Sequence, residues 1–331
     1  MSSSWLLIET FGGAQPSVIG RGSTQKSFVE LAKVIRSAAT RDEAERAVLE
    51  VMTTGRSVDR QSEDGRRLVL AEPLKVFSER VHGVWLWIGD HDEKVPTRDP
   101  AGAWLFNLTT STASGSDDLL DLYGVPEDQR PTQRAIAGAF TRLVTNRDES
   151  EAMAKIVNSV PGDVHQAVWT VRRDDEQLRA AHFSCRMLAE DVGGKTEVIL
   201  RGITHDLGPA EDITIAPPPT ILEHRILEAS TKDGEYRALV NLRTLNLLRW
   251  YNSDPVPNIC WENVAGEPTP AIHPDNLPIA KKMSKGLAHK RTTGTVRFRT
   301  MDDKWKPLHL NASLVSLDQH TTAALVVITE A

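Results

Sequence analysis

Short apolar runs and periodic stripes alternate along the chain, and they predict a succession of small sheet-and-helix modules. Trp5-Leu6-Leu7-Ile8-Glu9-Thr10 has the length and composition of a buried strand. Phe11-Gly12-Gly13-Ala14-Gln15-Pro16 reads as a turn, and Ser17-Val18-Ile19 as the return strand. Two helices are expected next. Ser27-Phe28-Val29-Glu30 has the capping-box pattern, in which hydroxyl and carboxylate each satisfy an orphan backbone donor, and it sets Phe28, Leu31, Ala32 and Ile35 on one face. Thr40-Arg41-Asp42-Glu43 repeats the box, Ala44, Ala47, Val48 and Val51 continue the stripe, and Gly55 suits the C′ position. Strands are expected at 68–76 and 81–88. In the second of these Trp85 and Trp87 alternate with Val84, Leu86 and Ile88, so both faces are apolar and one needs a cover besides its own helices. Packing against a neighbouring unit of the same chain is one such cover, and a homodimer interface is the other.

This first domain is bounded at 1–95. The charged stretch Asp90–Gly102, with Pro96 and Pro100, reads as a linker. A second domain, 103–208, restarts with a strand at 104–109. It continues with helices at 116–123, 132–145 and 149–160, then strands at 166–172, 178–188 and 196–204, the last two joined at Gly193-Gly194. Gly208–Pro219 is a second linker, and 220–229 a connecting helix. The third domain, 220–331, has strands at 237–242 and 247–251, a helix near 279–289, and strands at 294–300, 305–317 and 322–329.

The openings repeat: Trp5-Leu6-Leu7-Ile8-Glu9-Thr10, Trp104-Leu105-Phe106-Asn107-Leu108-Thr109 and Leu239-Val240-Asn241-Leu242-Arg243-Thr244. The closing halves of the second and third domains align without a gap, His182-Phe183-Ser184-Cys185 over His309-Leu310-Asn311-Ala312, at the offset of 127 that also carries Val171 onto Phe298. The fold class expected is α+β: three units, each an antiparallel sheet of about five strands with helices on one face.

Composition narrows the function. Charged residues make up 25% and hydrophobic residues 40% of the 331 residues, an ordinary globular balance. The net charge of −6 lacks the basic excess of a general nucleic-acid coat. No apolar run reaches the ~18 residues of a membrane span, and the start has no signal-peptide pattern. The two cysteines, Cys185 and Cys260, have neither disulfide-framework nor zinc spacing and read as buried thiols of a cytoplasmic protein. By segment the net charges are −1 (1–95), −7 (96–217) and +2 (218–331). Lys281, Lys282 and Lys285, with Lys290 and Arg291, form a basic cluster on a short helix and its exit. It is either a solvated face or a surface for an acidic partner, the middle unit of a second copy included.

Candidate chemistry is sparse. Gly20-Arg21-Gly22-Ser23-Thr24-Gln25-Lys26-Ser27 follows a strand and enters a predicted helix, but Gln25 stands where a phosphate loop needs glycine, so a turn is the better reading. The ten histidines form no metal-ligand spacing. His182 and His309 occupy equivalent positions, which points to a structural role shared by the fold. His273, before Pro274, is a turn histidine in preference to a haem ligand. No G-x-S-x-G elbow occurs. Neither a cofactor nor a catalytic residue is evident.

Trp169-Thr170-Val171-Arg172-Arg173, the acidic turn Asp174-Asp175-Glu176, the long strand 178–188, the Gly193-Gly194 turn and the strand 198–204 together resemble the closing half of a PAS domain. Ile203-Thr204-His205-Asp206 resembles its exit motif with the acid displaced. Ile272-His273-Pro274-Asp275-Asn276 resembles the His-Pro-Asp-Asp segment before a PAS helix, departing at the fourth position. The first unit has the same layout with weaker motifs and is PAS-like or GAF-like. The opening at Trp5 and the hairpin through Trp87 further resemble an actinobacterial family of stand-alone tandem-PAS proteins without an output domain. The resemblance implies a cytoplasmic, non-enzymatic signalling or sensor protein. It would bind a small apolar ligand, a downstream protein or both, with the two linkers passing a change in helix packing on as domain rotation. An enzyme with a site in an inter-domain cleft and a pure scaffold are the alternatives. The possible interaction surface comprises Trp85, Trp87, Lys281, Lys282 and Lys285.

Overall fold

The computed structural model describes residues 3–77, 79–131, 133–144, 148–213, 230–251, 255–262 and 267–331. Its first segment contains β1 (Leu6–Glu9), β2 (Ser17–Arg21), β3 (Thr24–Glu30), α1 (Leu31–Val34), α2 (Ala38–Thr54), β4 (Val58–Gln61), β5 (Arg67–Lys75) and β6 (Val81–Asp90). The second has β7 (Ala101–Asn107), β8 (Thr112–Gly115), α3 (Asp117–Leu122), β9 (Arg134–Ala135), α4 (Ile136–Ala139), α5 (Glu149–Asn158), β10 (Val164–Arg172), β11 (Leu178–Val192) and β12 (Lys195–Pro209). The third has β13 (Tyr236–Val240), β14 (Leu247–Trp250), α6 (Leu277–Gly286), β15 (Thr292–Arg299), β16 (Trp305–Ser316) and β17 (Thr322–Glu330).

Three antiparallel sheets result, ordered β3-β2-β1-β6-β5-β4, β10-β11-β12-β7-β8-β9 and β14-β13-β17-β16-β15. One plan underlies them. The opening strand of each lies between the second strand and the last, the helices are inserted after the opening hairpin, and the strand that follows the helices takes the far edge. The expected α+β class and its threefold use are both present, with a sixth strand added to the first two sheets.

The first sheet forms its core as the stripe dictates. Ala44, Ala47, Val48 and Val51 of α2 lie buried against Ile8, Val69, Val84 and Leu86. Gly55 ends the helix in the left-handed region at φ 63°, where its N–H returns to the Val51 carbonyl. The start differs from expectation. Ser37, not Thr40, is the N-cap, its hydroxyl accepting from the Thr40 N–H. The capping box at Ser27 is unused, because 24–30 is a strand whose Val29 lies opposite Val18 and Thr24 opposite Arg21. Extending the hairpin satisfies a ladder of backbone groups, whereas the box would satisfy two. The glycine-rich stretch before it is the hairpin turn, with Gly22 at φ 49°.

Two further corrections concern organisation. Asp90–Gly102 is not a free linker. Pro96 accepts a 2.7 Å hydrogen bond from the Trp5 indole, Arg98 pairs with Glu72 at 2.8 Å, and the Asp206 N–H donates to Pro100 at 2.9 Å. Of the helix expected over 132–145, the described residues 133–144 contain only the four of α4, and 132 and 145 lie outside the described residues. In the other linker, 214–219 lies outside the described residues, as does the connecting helix expected at 220–229. The three sheet modules are all present, and by contacts the chain groups them further. It forms two compact units, one of 1–106, 114–132 and 160–217, the other of 107–113, 133–159 and 218–331.

In the second unit Met283 of α6 and Leu287 just after it pack with Val296, Leu308, Leu310 and Val326 of the third sheet. α5 joins this unit through Glu149 at its first turn, which pairs with Arg249 at 3.1 Å, and through Asn158, which donates to Thr321 at 2.8 Å. Burial, with the Glu149 carboxylate alongside, pushes the Tyr251 phenol up to about 12.

Candidate functional site

The ionisable groups most displaced from their ordinary behaviour meet inside the first unit, where the first two sheets pack face to face. Register puts them there. On β11 and β12, His182 lies opposite His205, Ser184 opposite Ile203 and Arg186 opposite Arg201, so these six share one face of the second sheet. That face meets the side of the first sheet not covered by α2. The core between the sheets is built by Trp5, Leu7, Phe11, Ile19, Trp85 and Trp87 from one and by Ala101, Ala103 and Ile203 from the other. Gly83 permits the approach: a Cβ there would stand 2.4 Å from Ile203 Cδ1 and 3.0 Å from the Ile8 carbonyl oxygen.

Polar groups thread this seam. Gln166 donates to the Lys26 carbonyl at 3.0 Å and to Ser184 Oγ at 2.8 Å. Arg201, 1% exposed, donates through Nη1 to the Phe11 carbonyl at 2.5 Å, and its Nη2 pairs with Glu190, which also takes Arg80 at 3.1 Å. Glu9 accepts from Ser17 Oγ at 2.7 Å and the Phe11 N–H at 3.0 Å, and Arg186 stands 3.4 Å away. Burial pushes the Glu9 carboxyl up, against the downward pull of those partners.

Three imidazoles complete the seam. The His205 ring meets the Trp85 indole edge-on at 5.4 Å, and His82 meets Phe11 at 6.2 Å. Burial, with the positive charges of Arg201 and Arg80 adding to it, lowers His82 to about 3 against an upward pull from the Gly202 and Trp104 backbone. Burial lowers His182 to about 4, and burial with His182 alongside lowers His205 to about 4. All three rings are therefore neutral near pH 7. His82 and His205 are 0% exposed, so these perturbed groups serve the packing of two sheets and do not line a solvent-facing cleft.

The residues singled out from sequence fall in two places. Trp85 and Trp87 are in the interior of the first unit, both 0% exposed. Lys281, Lys282 and Lys285 lie exposed on the outward face of α6, in the other unit. His273 caps a turn, its ring accepting from the Asp275 N–H at 3.3 Å. His182 and His309 occupy matching strand positions in unlike surroundings, the first buried and the second exposed, so the shared structural role expected of them is not found. Neither cysteine is in a disulfide, and both are buried. Sequence reasoning missed His82, His205 and Arg201. The available signal was the doubly apolar β6, which required a second layer without indicating which strands supplied it.

Among the described residues no three His, Cys, Asp or Glu side chains are grouped to hold a metal ion, and no helix is long and apolar enough to cross a membrane.

A search of curated proteins found no match. Among solved structures, an uncharacterized protein from Mycobacterium tuberculosis superposes with a TM-score of 0.85 at 25% identity, over 99% of this chain and 96% of that one. A sensory box histidine kinase/response regulator from Burkholderia thailandensis matches at 16% identity over 40% of this chain and 88% of its own, with a TM-score of 0.25. The N-terminal domain of a diguanylate cyclase with PAS/PAC sensor from Marinobacter aquaeolei matches at 19% identity over 33% and 95%, with a TM-score of 0.27. Scores that low carry no argument about this fold. In chain order, residues 4–97, 100–206 and 220–329 match the N-terminal, middle and C-terminal domain models of the Rv3651-like family, which relates the fold of this chain to that family domain by domain.

Proposed function

We propose that the chain is a non-enzymatic sensor or scaffold of three PAS/GAF-like units that acts by binding other molecules. The observation carrying this reading is the place of its perturbed ionisable groups. A catalytic site brings such groups to a cleft that substrate can enter. Here His82, His182, His205 and Arg201 converge on the packed seam between two sheets. The surfaces left for work are therefore those for recognition, with a small apolar ligand, a downstream protein or a second copy as candidates.

Native mass spectrometry of the purified full chain tests the reading. A retained small molecule supports sensing, and the mass of the bare chain or of twice that supports scaffolding. Turnover of any substrate that is abolished by replacing a single solvent-facing side chain overturns both.

A further inference from the structure

We infer that the outer edge of the third sheet is a docking site for an extended acidic peptide segment of a partner protein, which adds as a strand beside β15. The inference deepens the reading of the chain as a binding protein and rests on it. β15 is a terminal strand: among the described residues its ladder partner is β16 on the inner side, and on the outer side a single bridge joins Phe298 to Ile272. Toward its end the chain itself fills the outer side. The Arg297 carbonyl accepts from the His273 N–H at 2.9 Å, the Arg297 N–H donates to Asn276 Oδ1 at 3.0 Å, and the Arg299 N–H donates to the Ala271 carbonyl at 3.0 Å. Odd-numbered residues of β15 thus turn their backbone groups outward. Thr293 and Thr295 have the same parity, both are exposed, and among the described residues nothing pairs with their outward N–H and C=O groups.

Charge and shape around this open stretch define what fits. α6 packs along β15, with the Thr292 hydroxyl donating to the Met283 carbonyl at 3.2 Å. Lys281, Lys282 and Lys285 fan over the outward face of that helix, and Lys290 and Arg291 lead directly into β15. Among the described residues no carboxylate lies in ion-pair range of any of these five. Ile279, 39% exposed, stands beside Gly294, where a Cβ would come within 3.3 Å of Ile279 Cγ2. An alternating backbone matches the open edge, carboxylates match the cations, and an apolar side chain between them matches Ile279. A nucleic acid or an anionic membrane would answer the charge but not the edge.

The test uses the full chain and a labelled peptide of alternating Glu and Val, compared with the same composition broken by two prolines, a single-stranded oligonucleotide and phosphatidylserine vesicles. The alternating peptide should bind, the broken one about tenfold more weakly, since one or two backbone hydrogen bonds are lost. The Thr293 and Thr295 amides of the unaltered chain should gain hydrogen-exchange protection when the peptide is added. Thr295→Pro, which removes an outward N–H, and the triple change K281E/K282E/K285E should each weaken binding by about tenfold. The protection measurement needs no variant, so it stands even if one fails to fold. Absent peptide binding, protection elsewhere than at these amides, or binding of oligonucleotide or vesicles as tight as that of the peptide overturns the inference. The last result would leave a charged patch, the first an edge merely guarded by lysines. The broader reading is judged separately by the native mass spectrum.

Discussion

A histidine held neutral by burial is a base that the unfolded chain can protonate and the folded chain cannot. His82, His182 and His205 stand at about 3, 4 and 4 when folded, against an ordinary value of 6.5. Their folded values are depressed, so full stability is present above pH 6.5 and is lost as pH falls toward 4. Each contributes a slope of about 1.4 kcal/mol per pH unit across that window, or roughly 2 kcal/mol at pH 5. Glu9, raised by burial, works with the opposite sign: its contribution is lost as pH rises through its folded value and regained on acidification. Urea melts from pH 7 to pH 5 should show a falling midpoint. His205→Phe, which keeps a ring against Trp85, should flatten the slope by about one proton. A midpoint independent of pH would mean the rings are not buried neutral. Gly83 gives a second test at this scale. Gly83→Ala drives a methyl into Ile203 and should cost about 1–3 kcal/mol by denaturant melts.

Elements were legible where one local pattern met one environment. The stripe Ala44, Ala47, Val48 and Val51 gave α2 its buried face, and β16 and β17 lie within a residue of their expected bounds. Local signals failed where a longer-range pairing competed. Ser27 offers a hydroxyl and Glu30 a carboxylate, yet the strand next to β2 claims both residues. Replacing Ser27 by Ala should thus be neutral to within about 0.5 kcal/mol, while Ser37→Ala, which removes the cap in use, should cost about 0.5–1 kcal/mol in thermal melts. Strand β6 shows the limit of sequence reading. Its two apolar faces were plain, but whether a second copy or this chain covers Trp85 depends on β11 and β12, about a hundred residues away. The buried indole makes a distinct prediction. Trp85→Ala should cost about 3–5 kcal/mol, whereas Trp85→Phe, which keeps a ring and deletes an indole N–H that has no partner among the described residues, should cost far less. Equal losses would argue against an interior place for this side chain.

At the scale of the molecule, repetition in sequence and contacts in structure divide the chain differently. Three modules are visible in the openings at Trp5, Trp104 and Leu239, because each module carries the same strand pattern. The grouping into two units is not visible there. It arises from contacts between modules: the seam through Trp85 and Ile203 fastens the first sheet to the second, while Glu149 and Asn158 fasten α5 to the third. Cooperative unfolding follows contacts and not sequence repeats. Calorimetry of the full chain should accordingly resolve two transitions instead of three. Trp85→Ala should lower one of them, and Leu308→Ala, which opens a cavity in the third core, should lower the other, each leaving its counterpart in place. Glu149→Ala leaves the buried Arg249 without its carboxylate and should move with Leu308→Ala, although residue 149 belongs by sequence to the middle module. If Glu149→Ala moved with Trp85→Ala instead, the modules and not the contacts would set the cooperative units.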